Sequence, residues 1–124
     1  MSGAVLDIQL EEKADYVVCH PHGELDAFTV SGFREALAEL SSRRRVIIDL
    51  SAVTFMDSAG LGALIGGIRR IREAGGDVGV SCNRPTLLRL LRTTGFDRIV
   101  AVVDTVDEAV AAIDSASSPG ATGA

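Results

Sequence analysis

An aspartate and a serine, Asp57 and Ser58, stand where a strand pattern gives way to a helix pattern. Before them come Val46-Ile47-Ile48-Asp49-Leu50, β-branched and apolar on both faces as a strand covered on both sides of a sheet would be, and then a loop from Ser51 to Met56. After them Ala59-Gly60-Leu61-Gly62 opens a run in which Leu61, Leu64, Ile65, Ile68 and Ile71 recur at helical spacing, while Arg69, Arg70, Arg72 and Glu73 fall mostly elsewhere on the wheel. Ser58 therefore belongs at a helix start, beside backbone N–H groups that have no partner inside the helix. A hydroxyl so placed can cap the helix, act as a nucleophile, or accept a modifying group.

Three features argue that Ser58 does more than cap. Asp57 can cap alone, which leaves the serine hydroxyl free. Gly60, Gly62, Gly66 and Gly67 each cost about 1 kcal/mol of helix stability relative to alanine, so the helix gains close backbone approach to the sheet or to a partner. Phe55 and Met56 place apolar surface beside the serine, as a docking site would.

Nucleophilic catalysis fits less well. A nucleophile elbow needs glycine on both sides of the serine; Gly60 is present, but Met56 occupies the other position, where a side chain crowds the turn. The only histidines, His20 and His22, end the second expected strand, and a sequentially wound sheet puts that end on the side of Ser58, so a small serine hydrolase is the alternative. A dinucleotide site fails because Ile65 stands where the third glycine belongs, and no Lys-Ser or Lys-Thr pair exists for a phosphate loop. His20-Pro21-His22 with Cys19 lacks further metal ligands and reads as a solvated strand end. Cys19 and Cys82, if one strand separates theirs, lie roughly 9–10 Å apart, beyond disulfide reach, and read as buried thiols.

The elements that must position Ser58 follow from the rest of the chain. Val5 to Leu10 alternates as a half-exposed strand, Glu11 to Asp15 is a polar turn, and Tyr16 to His20 is its antiparallel partner, ended by Pro21 and Gly23. Asp26, or Thr29 in its place, caps a helix through Leu40 with Val30, Phe33, Leu37 and Leu40 buried. The central strand and helix come next, the helix stopping at Gly75-Gly76, and Asp77 to Cys82 is a strand. Pro85 opens a third helix with Leu87, Leu88, Leu90 and Leu91 on its apolar face, stopped by Gly95. Ile99 to Val103 is the last strand, and Thr105-Val106-Asp107-Glu108 fits a capping box for a helix to about Asp114. Ser115 to Ala124 is small, polar and Gly/Pro-containing, a disordered tail. The expected fold is one α/β domain, residues 5–113, with a mostly parallel sheet of about five strands, about four helices and an antiparallel first strand.

Composition narrows the function. The 124 residues suit one domain, and 47% apolar content excludes disorder for most of it. A net charge of −5 argues against a nucleic-acid or anionic-membrane surface. The short basic runs Arg43-Arg44-Arg45 and Arg69-Arg70 fall near expected helix C-termini, where cations favour the helix dipole. No apolar run is long enough to span a membrane, and no signal-like N-terminus is seen, so a cytoplasmic protein with reduced thiols is expected.

The stretch from Val46 to Leu64 resembles the signature of the STAS domain, and in particular of the bacterial anti-sigma factor antagonists. Gly23-Glu24-Leu25-Asp26 is similar to the family's Gly-x-x-Asp after the second strand, and Thr94-Gly95-Phe96 resembles its third-helix ending, so the likeness covers Val5 to Ile113. Met56 stands where a branched aliphatic is commoner, and Ala59 where small residues vary. The resemblance implies a non-enzymatic switch that needs no cofactor and no metal. Unphosphorylated, such a protein binds an anti-sigma factor, itself an ATP-dependent serine kinase, and frees a sigma factor to activate transcription. The kinase phosphorylates the serine, here Ser58, and a serine phosphatase restores it. The implied docking surface comprises Asp26, Phe55, Met56, Asp57, Ser58, Ala59, Gly60, Leu61 and Gly62. Related domains also serve in stress-sensing complexes, which is a further alternative.

Overall fold

The computed structural model describes residues 6–117; residues 1–5 and 118–124, and with them Val5 and most of the tail expected at 115–124, lie outside the described residues. Six strands form one sheet. They are β1 (Leu6–Glu12), β2 (Val17–Leu25), β3 (Arg45–Asp49), β4 (Val53–Met56), β5 (Asp77–Ser81) and β6 (Val102–Val103). The helices are α1 (Val30–Glu39), α2 (Ser58–Glu73), α3 (Pro85–Thr93) and α4 (Val106–Ser117), with short 3₁₀ turns after α1 and α3. The sheet runs β1-β2-β3-β5-β6, with β4 paired to β2 beyond the end of β3. Only β1 is antiparallel to its neighbour; β2 with β3 and β4, β3 with β5, and β5 with β6 are all parallel.

Side-chain alternation divides the core in two. Val17, Cys19, Val46, Ile48, Val78 and Val80 face one side, where Phe33 and Leu37 of α1, Leu64, Ile68 and Ile71 of α2, and Leu87 and Leu91 of α3 pack. Val18 and Ile47 face the other, under Ala109 and Ile113 of α4. The capping box is formed: Glu108 N–H donates to Thr105 Oγ1 (3.1 Å) and Thr105 N–H to Glu108 Oε1 (3.1 Å). Gly75 and Gly95, at φ 93° and 80°, end α2 and α3 in the left-handed region where a Cβ is strained.

Several expectations are corrected, and the first is that α4 runs on to Ser117, three residues into the stretch expected as a disordered tail. β1 reaches Glu12, so the turn spans residues 13–16 and is closed by Lys13 N–H to Tyr16 O (2.8 Å). β2 runs through Pro21 and Gly23 to Leu25 instead of stopping at His20. It tolerates the proline because it pairs with β3 only from Val17 to Cys19 and with β4 from Gly23. Gly23 N–H donates to Ala52 O (3.1 Å), and alternation aims the position-21 nitrogen the same way, into the gap between β3 and β4 where no acceptor is needed.

The stretch before Asp57 is not all loop: β4 is a sixth strand, with Val53 and Met56 buried and Thr54 and Phe55 outward, too short to show alternation in the sequence. The last strand shrinks to Val102–Val103, because Phe96–Arg98 forms a 3₁₀ turn and Val100 is drawn into the core. The arginines after α1 also act differently from the dipole reading. Arg43 forks onto Glu12 (2.8 and 2.6 Å), drawing the Glu12 carboxyl below its usual range, and Arg45 pairs with Asp114 of α4.

Candidate functional site

β4 and α2 are joined by one residue, Asp57, and this residue organises the site. Its backbone is extended, its Oδ1 accepts from Gly60 N–H (3.0 Å), and its carbonyl accepts from Leu61 N–H (3.0 Å), so Asp57 caps α2. Its Oδ2 accepts from Ala27 N–H (3.3 Å), and its own N–H donates to Leu25 O (3.1 Å). One carboxylate thus ties the start of α2 to the loop between β2 and α1.

That loop is stiffened by Asp26 and Thr29. Asp26 Oδ1 accepts from Phe28 N–H (2.9 Å) and Thr29 N–H (3.1 Å), and Thr29 Oγ1 donates to Glu24 O (2.7 Å). Thr29 holds the N-cap position of α1 but makes no side-chain cap bond, so Asp26 orders the turn that leads into the helix rather than capping the helix itself.

Ser58 is the first residue of α2 and is exposed. Because Asp57 supplies both cap bonds, the Ser58 hydroxyl has no hydrogen-bond partner among the described residues. The N–H groups of Ser58 and Ala59 likewise meet no acceptor there, as the first turn of a helix leaves them. The result is a free hydroxyl beside free donors at the positive end of a helix dipole.

Phe55 is 50% exposed next to the site, and it helps wall a cleft of about 650 Å³ between β4 and α3 with Val53, Leu87 and Leu90. Met56, expected beside it as surface, is only 5% exposed and belongs to the core. Gly60 is buried too: a Cβ there would lie 2.3 Å from Leu25 O, so its smallness serves the approach of α2 to β2 rather than a partner. Ala59 and Leu61 are half-buried and Gly62 is exposed, with nothing within 4 Å of the place a Cβ would take. Phe28 was not among the sequence candidates. It is 91% exposed in the loop that Asp57 holds, and its only signal was an aromatic residue beside a turn-forming aspartate.

The histidines are not brought to Ser58. Even-numbered residues of β2 face the α4 side of the sheet, whereas α2 packs on the other. His20 lies between Asp49 (Nδ1 to Oδ2, 3.2 Å) and Glu11 (Nε2 to Oε1, 3.1 Å), and His22 is exposed. Asp49 Oδ1 also accepts from Ser81 Oγ (3.0 Å) and Ser51 N–H (3.1 Å), so this network links β1, β2, β3 and β5. Hydrogen bonds from His20 and Lys13 hold the Glu11 carboxyl below its usual range.

Residues 7–109 match the STAS domain. The anti-sigma F factor antagonist of Paenibacillus polymyxa is 31% identical over 102 residues, 80% of this chain and 87% of that protein. The chain belongs to the STAS family of anti-sigma factor antagonists. Solved structures agree with this. An anti-sigma factor antagonist from Mycobacterium paratuberculosis superposes with a TM-score of 0.81 at 28% identity, covering 89% of this chain and 95% of that one. The Bacillus cell fate determinant SpoIIAA in its phosphorylated form gives 0.66 at 25% identity over 86% of this chain and 99% of that one.

Elsewhere in this STAS domain the chemistry is quiet. Both cysteines are buried and free; burial alone raises the Cys19 thiol to about 12 and is the main cause that raises Cys82. Among the described residues no group of three or more His, Cys, Asp or Glu side chains could hold a metal ion, and no helix is long and apolar enough to cross a membrane.

Proposed function

We propose that this STAS domain is a phosphorylation-controlled antagonist acting in the cytoplasm: with Ser58 unmodified it binds an anti-sigma factor and releases a sigma factor, and with Ser58 phosphorylated it lets the anti-sigma factor go. The observation that carries the reading is the exposed, unbonded hydroxyl at the first position of α2, spared from capping by Asp57. The anti-sigma factor is its own serine kinase in this reading. The Ser58 oxygen takes the γ-phosphoryl group of ATP as the bond to ADP breaks, and the hydroxyl proton is lost. A serine phosphatase returns the hydroxyl by hydrolysis. The antagonist names of the relatives support the partner, and the existence of a phosphorylated SpoIIAA supports the modification.

The physics of the site fits such a switch. A phosphate brings about −1.5 to −2 charges and three acceptor oxygens. Within the domain the dipole and the open Ser58 and Ala59 N–H groups accept that charge at a cost of ~1 kcal/mol or less either way. Within an interface it adds to a surface that Asp57 and Asp26 already make acidic, and it is set against partner surface shaped for a neutral hydroxyl. An unpaired charge buried there costs ~3–5 kcal/mol, a loss of some two to four orders of magnitude in affinity. The docking surface then comprises Asp26, Phe55, Asp57, Ser58, Ala59, Leu61 and Gly62, with Met56 and Gly60 supporting it from beneath.

The test uses the host's ATP-dependent anti-sigma factor kinases, purified individually with ATP, and mass spectrometry to place the phosphate. Ser58→Ala should bind the kinase and resist phosphorylation, and Ser58→Asp should fold yet bind at least a hundred-fold more weakly. Stoichiometric phosphate on Ser58→Ala, or wild-type binding by Ser58→Asp, refutes the reading.

A further inference from the structure

We infer that Phe28 is the hydrophobic anchor by which the kinase acting on Ser58 grips this domain, its ring entering an apolar pocket with a basic rim on that partner. The inference rests on the switch proposed above and adds a contact residue to it. Among the described residues the exposed large apolar side chains are Leu10, Phe28 and Phe55; Leu10 is on β1, and Phe28, at 91%, is by far the most exposed. Phe55 is only 50% exposed, which leaves Phe28, among the described residues, as the aromatic ring at this end with essentially its whole surface open.

Its backbone is nevertheless held. Phe28 N–H is bonded to Asp26, the adjacent Thr29 N–H to the same oxygen, and the adjacent Ala27 N–H to the Asp57 carboxylate. A ring shown on a fixed turn loses little freedom on docking, which is what lets aromatic residues dominate interfaces. The Ala27–Asp57 bond places this turn against the residue that precedes Ser58, so a protein that reaches the hydroxyl meets the ring as well.

Charge selects the occupant. Glu24, Asp26 and Asp57 surround the turn, and none is in an ion pair with a cation among the described residues. A second copy docking by two-fold symmetry would bring these acids against their own images, on a chain already at −5. A partner with lysines or arginines around an apolar pocket faces no such repulsion.

The kinase shown to phosphorylate Ser58 is the probe, measured by calorimetry against wild type, Phe28→Ala, Phe28→Trp and Ser58→Asp. Phe28→Ala should weaken binding about thirty-fold, the loss typical of an interface anchor, and raise KM for phosphorylation with kcat unchanged. Its melting temperature should stay within about 1 °C of wild type, since a ring 91% exposed contributes little to the core. The chain has no tryptophan, so Phe28→Trp supplies its single indole, whose emission should shift to the blue when kinase is added. Wild-type affinity for Phe28→Ala, or an unshifted Phe28→Trp spectrum on a bound complex, overturns the anchor while Ser58 labelling leaves the switch standing. No Ser58 labelling by any kinase overturns both. A wild-type dimer in sedimentation that Phe28→Ala dissolves would assign the ring to self-association instead.

Discussion

Replacing Gly60 with alanine should destabilise the domain even though alanine is the better helix former. The added Cβ would lie 2.3 Å from Leu25 O and 2.9 Å from both Leu25 C and Leu25 Cβ, and a backbone carbonyl cannot swing aside as a side-chain tip can. Relief requires α2 and β2 to part by about 1 Å, which strains the Asp57 N–H bond to that same carbonyl. Overpacking costs about 1–3 kcal/mol and a weakened hydrogen bond ~0.5–1.5, against about 1 gained in helix propensity. The net loss is ~1–3 kcal/mol, or ~5–15 °C in melting temperature for a domain of this size. Gly62→Ala is the control in the same helix. Nothing lies within 4 Å of its Cβ position, so only the propensity gain of ~0.5–1 kcal/mol remains. Thermal and urea unfolding of the two variants, with m-values to show that the unfolded state is unchanged, read the difference directly. A Gly60→Ala protein as stable as wild type, or a destabilised Gly62→Ala, would refute the close-approach argument.

Two further outcomes follow from the same geometry. Asp26→Asn should leave the melting temperature nearly unchanged, because an amide oxygen can still accept from Phe28 and Thr29 N–H, yet should weaken binding of the kinase if its charge faces the basic rim; equal losses of stability and binding would reduce Asp26 to its turn. Neither Cys19 nor Cys82 should react with a thiol reagent at pH 8 until the protein is unfolded, since both are buried and a Cys19 thiol raised to about 12 is protonated there. The raised value also means that its contribution to stability is complete below its unfolded value near 9 and is lost as pH rises toward 12. Rapid labelling of the folded protein would contradict the burial.

The local pattern of the chain determined the elements with long or well-punctuated sequences. The stripe Val30, Phe33, Leu37 and Leu40, the run from Leu61 to Ile71, the Thr105–Glu108 box and the stops at Gly75 and Gly95 all declare themselves within a few residues, because helix periodicity, capping and left-handed glycine are short-range effects. The position of Ser58 at a helix start is legible for the same reason: Asp57-Ser58 precedes an apolar run of period 3.6. What needed the tertiary structure was everything decided by a neighbour distant in sequence. β2 continues through Pro21 only because its partner strands leave a gap there, and β4 is a strand only because β2 runs on from Gly23 to Leu25 to pair with it. Met56 and Gly60 change from surface to support because β2 and α2 close over them, as Leu25 shows at Gly60. The histidines are parted from Ser58 because strand alternation turns their side chains to the α4 face, and the two faces of a sheet do not share side chains. Phe28 joins the site through a single bond spanning thirty residues, from Ala27 to Asp57, and no periodicity in the chain encodes a contact of that range.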